Sequence, residues 1–344
     1  MQRNPLIVFT DNGMYVPQAD VFIDPWKPVS RALITHAHGD HARWGMKHYL
    51  AHEQSIPILK RRLGPQQFQG IAYGKPILIN GVEFTFFPAG HVLGSAQIRV
   101  SYRGDVWVAS GDYKTADDGI SPAFEPVLCN TFITESTFGL PVYNWKPQAE
   151  IMQQINAWWK ANASAGKCSI IFAYSLGKAQ RILQYLEHDI GEVLVHGSVQ
   201  NMNEAYEEAG IRLRGSKKVD QTFDKEIFKR ALIIAPPSAE GSLWMKKFEP
   251  YTTAVASGWM GLRGAKRRSS ADTGFILSDH ADWAGLNTAV KATGAQQVLV
   301  THGFTAIYAK YLREQGYDAQ EVVTRFVGEH PDTEKQEEDK ENMV

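Results

Sequence analysis

The sequence predicts an α/β protein, and three observations carry that reading. Short apolar runs punctuated by Gly and Pro fill roughly the first hundred residues, strands and helices alternate after Pro141, and apolar strands return near the C-terminus. Val21–Asp24 and Arg31–Thr35 are apolar runs bounded by Pro and polar residues, as buried strands are. Further strands are expected at Pro76–Asn80, Val82–Phe87, Ala96–Tyr102 and Val106–Ser110, with Gly81, Gly90 and Gly104 between them. Pro147–Asn162 carries helical spacing through Ile151, Ile155 and Trp158 or Trp159. Ser169–Tyr174, Glu192–His196 and Ala231–Ala235 read as strands, and helices run through Leu186 and over Asn201–Ala209. That alternation predicts a parallel α/β unit. Phe275–Ser278 and Gln297–Thr301 return to strands that end close to histidines, followed by a helix over Ala306–Glu314. The charged, mostly acidic stretch from His330 onward is expected to be disordered.

Composition narrows the function classes. The 344 residues are 44% hydrophobic, enough for one large or two modest cores. With 36 basic and 37 acidic residues the net charge is −1, so any nucleic-acid contact must use local basic patches. The two cysteines, Cys129 and Cys168, make no disulfide framework and fit a reducing compartment. The apolar stretch Leu6–Phe9 is too short for a signal-peptide core, and no run is long enough to span a bilayer. A cytoplasmic protein without a membrane partner is expected.

The most informative segment is Thr35-His36-Ala37-His38-Gly39-Asp40-His41, three histidines and a carboxylate within six positions. Imidazole nitrogen and carboxylate oxygen are the ligands that hold zinc and similar divalent ions. His36 and His38 can serve one ion, Asp40 and His41 a neighbour. Two ions need more donors, and later strand ends supply them. His91 lies in a Gly-rich loop after an apolar run, Asp112 follows Val108-Ala-Ser-Gly111, and His302 follows Val298-Leu-Val-Thr301. The two oxygens of Asp112 are suited to bridging a pair of ions.

Asp24, the His36–His41 segment, His91 and Asp112 resemble, in order, the successive motifs of the metallo-β-lactamase superfamily. Thr134–Gly139, Ser278–Asp282 and Val300–Gly303 resemble the three extra motifs of its β-CASP nuclease branch. Ile23–Pro28, Gly94–Gln97, Phe172–Gln180 and Thr134–Pro141 are similar to bacterial DNA ligase-associated exonucleases. The resemblance implies a metallo-β-lactamase αββα sandwich over residues 1–144 and 269–328, an inserted α/β β-CASP cassette over 145–268, and a tail at 329–344. It also implies a DNA exonuclease that uses two divalent ions, zinc first and manganese as the alternative, in repair linked to a ligase and a helicase. DNA is favoured over RNA, and 5′-to-3′ polarity is carried over from Artemis-like relatives. One departure bears on substrate. His302 stands where the Artemis-like DNA group usually has an aliphatic residue and RNA-acting members have His.

On this reading His36, His38 and His91 hold one ion, Asp40, His41 and His302 the other, and Asp112 bridges them. Such a pair catalyses in-line phosphodiester hydrolysis. Asp40, Glu135 and His280 are the expected catalytic residues, with His280 as general acid oriented by Glu135, and Asp24 braces a ligand. Substrate contacts are expected from Ser175 and Lys178 at a strand-to-helix turn, from Trp259 by stacking, and from Arg263 and Arg267 in the densest basic run. The rival reading is a β-CASP ribonuclease with the same chemistry. A small-molecule thioester or lactam hydrolase is disfavoured by the inserted cassette.

Overall fold

The computed structural model describes residues 5–220, 225–262, 264 and 270–326, and they form two compact units. The first comprises residues 1–144 and 280–328, the second residues 145–279.

The first unit holds two sheets. Strands β1 (Val8–Thr10), β2 (Gly13–Val16), β3 (Val21–Ile23), β4 (Arg31–Ile34), β5 (His48–His52) and, after helix α1 (Ile56–Leu63), β6 (Phe68–Ile71) pair in chain order. Their β1–β3 part is antiparallel and their β3–β6 part parallel. The other sheet begins with an antiparallel meander of β7 (Ile77–Ile79), β8 (Val82–Pro88), β9 (Ala96–Tyr102) and β10 (Asp105–Ala109). To β10 it adds β11 (Thr131–Ser136) in parallel.

The second unit is one parallel sheet in the order β14-β13-β15-β12-β16-β17. Its strands are β12 (Cys168–Phe172), β13 (Val193–Val195), β14 (Lys217–Lys218), β15 (Leu232–Ala235), β16 (Tyr251–Ala256) and β17 (Thr273–Phe275). Helices α2 (Gln148–Ser164), α3 (Lys178–Tyr185), α4 (Gly197–Glu208) and the single turn α5 (Lys225–Phe228) accompany it. Strands buried on both faces read as continuous apolar runs, and Ile170-Ile171-Phe172 and Leu232-Ile233-Ile234 do so.

The chain then returns to the first unit through α6 (Trp283–Ala292), β18 (Gln297–Gly303), α7 (Thr305–Glu314) and β19 (Asp318–Glu321). Here β18 pairs parallel with β11, and β19 with β18. One hydrophobic core joins the two sheets of this unit, with Val21, Ile23, Leu33 and Leu50 meeting Phe84, Phe86, Ile98, Val100 and Ile133. The opposite face of the second sheet, through Val108, Phe132, Val298 and Val300, packs on Leu286, Ala289, Tyr308 and Leu312 of α6 and α7.

Two expectations shift. The strand expected at Phe275–Ser278 is Thr273–Phe275, and it pairs with β16. The return to the first unit therefore comes at residues 279/280 and not at 268/269. The tail at 329–344 lies outside the described residues, among which no helix is long and apolar enough to cross a membrane.

Candidate metal centre

The candidate ligands all lie in the first unit, and most follow strand C-termini, where ligands of α/β sheets gather. β4 ends at Ile34 and releases the His36–His41 segment, which closes as a turn with the Ala42 amide donating to the His38 carbonyl at 2.8 Å. β8 releases His91, whose amide donates to Ser95 Oγ at 3.0 Å. β10 ends at Ala109 and Asp112 lies three residues on. Gly111 between them has φ +56°, and a Cβ there would come within 2.6 Å of the Thr35 side chain. β18 delivers His302 where its pairing with β11 slips register between Thr134 and Ser136.

Asp112 sits at the middle. Its Oδ2 is 3.6 Å from His36 Nε2 and 3.9 Å from His91 Nε2, while His38 Nδ1 lies 3.0 Å from His91 Nε2. Its Oδ1 is 2.8 Å from His302 Nε2 and 3.5 Å from His41 Nε2, and Asp40 Oδ2 is 3.6 Å from that same nitrogen. In three sets, His36/His38/His91/Asp112, His36/Asp40/His41 and His41/Asp112/His302, one ligand atom per residue lies within 4.8 Å of all the others. His36 Nε2, His41 Nε2, His302 Nε2 and Asp112 Oδ1 are buried and make no hydrogen bond among the described residues. Buried polar atoms almost always have partners, so a converging group of lone pairs without them fits a cation.

Electrostatics agree. Burial alone would push the His41 imidazole down, but the carboxylates of Asp40, Asp112 and Asp24 hold it up, to about 10. Burial would likewise raise the Asp112 carboxyl, yet His302, His41 and His36 keep it well below the usual carboxylate range. His36 lies well below the usual imidazole range, through burial and then its cationic neighbour His41. In the protein alone, a proton on His41 supplies positive charge that an incoming cation would replace.

The surroundings orient the ligands. Asp24, fully buried, accepts from His41 Nδ1 at 2.8 Å, from the Thr35 amide at 2.8 Å and from the Thr35 hydroxyl at 2.5 Å. The Phe326 ring stacks on His41 at 4.3 Å with 4° between planes. Glu135 and His280 are both fully buried, and Glu135 Oε2 lies 2.9 Å from His280 Nδ1 while its Oε1 accepts the Tyr113 amide at 2.8 Å. Asp112, Glu135 and His280 form a further group with ligand-type spacing.

The structure therefore brings Asp24, His36, His38, Asp40, His41, His91, Asp112, Glu135, His280 and His302 into one cluster. Of the expected substrate residues, Ser175, Lys178 and Trp259 belong to the second unit. Lys178 is fully buried, with Nζ 3.5 Å from Asp279 Oδ2, and Arg181 donates to Asp279 Oδ1 at 2.9 Å. Ser175 is buried and donates to Ser198 Oγ at 2.9 Å. The amide of Gly177 at the start of α3 donates to Gln180 Oε1 at 2.7 Å. Trp259 is packed in the turn Gly258–Gly261 with its ring mostly covered. Arg263 and Arg267 lie outside the described residues. Phe326 and the two threonines Thr35 and Thr301 were missed. For Phe326 no local signal exists, whereas each threonine directly precedes a ligand histidine.

No protein-family model matches the chain. It is 30% identical over 325 residues to the "Probable DNA ligase" of Opitutus terrae, covering 92% of this chain and 31% of that protein. It is 29% identical over 123 residues to "Endoribonuclease YSH1" of Saccharomyces cerevisiae, covering 35% of this chain and 16% of that one. A similar 29% over 126 residues links it to "Cleavage and polyadenylation specificity factor subunit 3" of Dictyostelium discoideum. The chain spans less than a third of the length of these relatives. A solved structure from Enterococcus faecalis V583, titled a protein of unknown function, superposes with a TM-score of 0.58 at 12% identity, over 87% of this chain and 80% of that one. That likeness concerns the mixed α/β fold alone.

Proposed function

We propose that this protein is a two-metal phosphodiesterase that digests DNA from an end, in the 5′-to-3′ direction, during repair carried out with a ligase and a helicase. The observation that carries the chemistry is Asp112, whose two oxygens face two separate imidazole groups. His36, His38 and His91 would hold one ion on the Oδ2 side. Asp40, His41 and His302 would hold the other on the Oδ1 side, with zinc or manganese suited to these donors. When bound, such ions polarise a phosphoryl oxygen and supply a nucleophile at neutral pH.

The remaining work falls to the chain. Asp24 holds the His41 ring by its Nδ1. Glu135 holds His280 by its Nδ1, so that His280 Nε2 can give a proton to the leaving oxygen. The preference for DNA is supported by the ligase-named relative, which matches across 92% of this chain. The second reading, a ribonuclease, is favoured by His302 and by the endoribonuclease relatives.

The test is a time course on matched 5′- and 3′-labelled single- and double-stranded DNA and RNA, with zinc or manganese. Mononucleotide release from DNA, starting at the 5′ end, is expected. Cleavage of RNA alone would overturn the DNA reading in favour of the second, and internal cuts would overturn the exonuclease reading.

A further inference from the structure

Two of the proposed ligands, His36 and His302, share a device that the motif reading does not use. Each directly follows a buried threonine, and each threonine's oxygen lies near the histidine's Nδ1, at 3.1 Å for Thr35 and 3.4 Å for Thr301. A hydroxyl has one hydrogen to give and two lone pairs to offer. Thr35 gives its hydrogen to Asp24 Oδ2 at 2.5 Å, and Thr301 gives its to the Thr134 carbonyl at 3.0 Å. Carboxylate and carbonyl oxygens only accept, so in both pairs the hydroxyl has no hydrogen left for the imidazole. The contact then requires the ring to donate from Nδ1.

We propose that Thr35 and Thr301 are positioning residues that fix His36 and His302 as Nδ1–H tautomers and so present a bare Nε2 to each side of Asp112. The inference rests on the two-metal reading and deepens it. His36 Nε2 faces Asp112 Oδ2 at 3.6 Å and His302 Nε2 faces Asp112 Oδ1 at 2.8 Å, neither with a hydrogen bond. Metal-bound histidines commonly hand their other N–H to a carboxylate, a carbonyl or water, and His41 does so with Asp24. Here a hydroxyl takes that role, and its competence depends on a second acceptor that occupies its hydrogen.

The surrounding backbone holds both threonines in place. Thr35 also gives its amide to Asp24 Oδ1 at 2.8 Å, and only a residue without Cβ fits against it at Gly111. Ser136 Oγ lies 2.8 Å from the His302 carbonyl and 3.1 Å from that of Thr301, and its one hydrogen serves the nearer. A Cβ at Gly303, which has φ +92°, would come within 2.3 Å of the Ser136 carbonyl.

The test uses the full chain stripped of metal and titrated with zinc against a chromogenic chelator. Wild type is compared with Thr35→Val, Thr35→Ser, Thr301→Val and Thr301→Ser, and thermal unfolding of each metal-free variant reports folding. Wild type is expected to take up two equivalents. Each valine variant, isosteric but without the hydroxyl, is expected to bind one equivalent normally and the other about 10- to 100-fold more weakly. Each serine variant is expected to restore that loss. Valine variants that bind both equivalents like wild type, or serine variants as weak as valine, would overturn the role of the hydroxyls. Should one valine variant fail to fold, the other, acting across Asp112 on the opposite side, carries the same test. A wild type that binds no zinc would instead overturn the two-metal reading itself.

Discussion

Glu135→Gln separates acid catalysis from metal holding. The Glu135 carboxylate lies 2.9 Å from His280 Nδ1 and spends its other oxygen on the Tyr113 amide at 2.8 Å, with both side chains fully buried. Glutamine keeps the size and can keep the Tyr113 bond through its carbonyl. Its NH2 then faces His280 Nδ1, so the ring must accept there and loses its carboxylate partner. A hydrogen bond to a charged group contributes about 1.5–3 kcal/mol, which corresponds to about 10- to 150-fold in rate. General-acid catalysis as a whole contributes about 10²- to 10⁴-fold, so the loss should fall inside that range. The assay is single-turnover cleavage of end-labelled DNA, with metal content measured on the same preparation. A rate within about threefold of wild type at full metal content would refute the acid pairing. Loss of metal together with activity would refute it differently, by making Glu135 a ligand beside Asp112 and His280, whose ligand atoms lie close enough for that role.

Three further outcomes are expected. Asp112→Asn keeps the side-chain shape but removes the charge shared by the two imidazole groups, so elemental analysis should find both ions lost and cleavage abolished; retention of either ion would refute the bridging role. Lys178→Met removes one partner of a buried ion pair with Asp279, a loss of about 3 kcal/mol, or about 6–12 °C in the unfolding midpoint; unchanged stability with weakened DNA binding would return Lys178 to the substrate contacts. His52, buried and stacked on Tyr73 at 3.5 Å, is pushed down by desolvation to about 4 from an ordinary 6.5. The folded state thus resists a proton that the unfolded state accepts, and stability falls as pH drops through 6.5 toward 4. Denaturant unfolding of His52→Asn should lack that increment, and an identical pH dependence in both proteins would refute it.

The members of the His and Asp cluster are legible because they sit on local signals, at or just past the ends of apolar runs. Helix α2 was legible from its spacing, Ile151 and Ile155 facing the core. Features made by distant partners leave no local signal. The turn of Ser175, Leu176 and Gly177 points to a phosphate contact at Lys178, whereas the pairing of Lys178 with Asp279, 101 residues away, is invisible to any local pattern. Phe326 over His41 is of the same kind. The strand misplaced at Phe275–Ser278 fails for another reason. Its apolar run is real, but the carbonyl of Ser278 accepts from Arg181 Nη1 at 2.6 Å, so a side chain takes that carbonyl where a strand neighbour was expected. The exposure of a single aromatic such as Trp259 is not encoded in the local sequence, and the ring is mostly covered.

Building the centre from strand ends means that sheet register sets its geometry. Side chains alternate faces along a strand, so a one-residue slip would send a ligand to the wrong side. In β18 the pairing with β11 runs Thr134 to Val300 and then Ser136 to Gly303, placing two residues of β18 opposite one of β11. That bulge puts Thr301 and His302 in the extra space. The Thr301 hydroxyl turns back to Thr134, and His302 Nε2 turns to Asp112. Ser136 Oγ reaches the bulged carbonyls, 2.8 Å from that of His302, and Gly303 lets the chain pass close to the Ser136 carbonyl. On the other side of Asp112, Gly111 gives Thr35 the room to reach Asp24. A few small residues with unusual backbone freedom thus do for this cluster what no ligand can do for itself, fixing which atom of each imidazole meets the shared carboxylate.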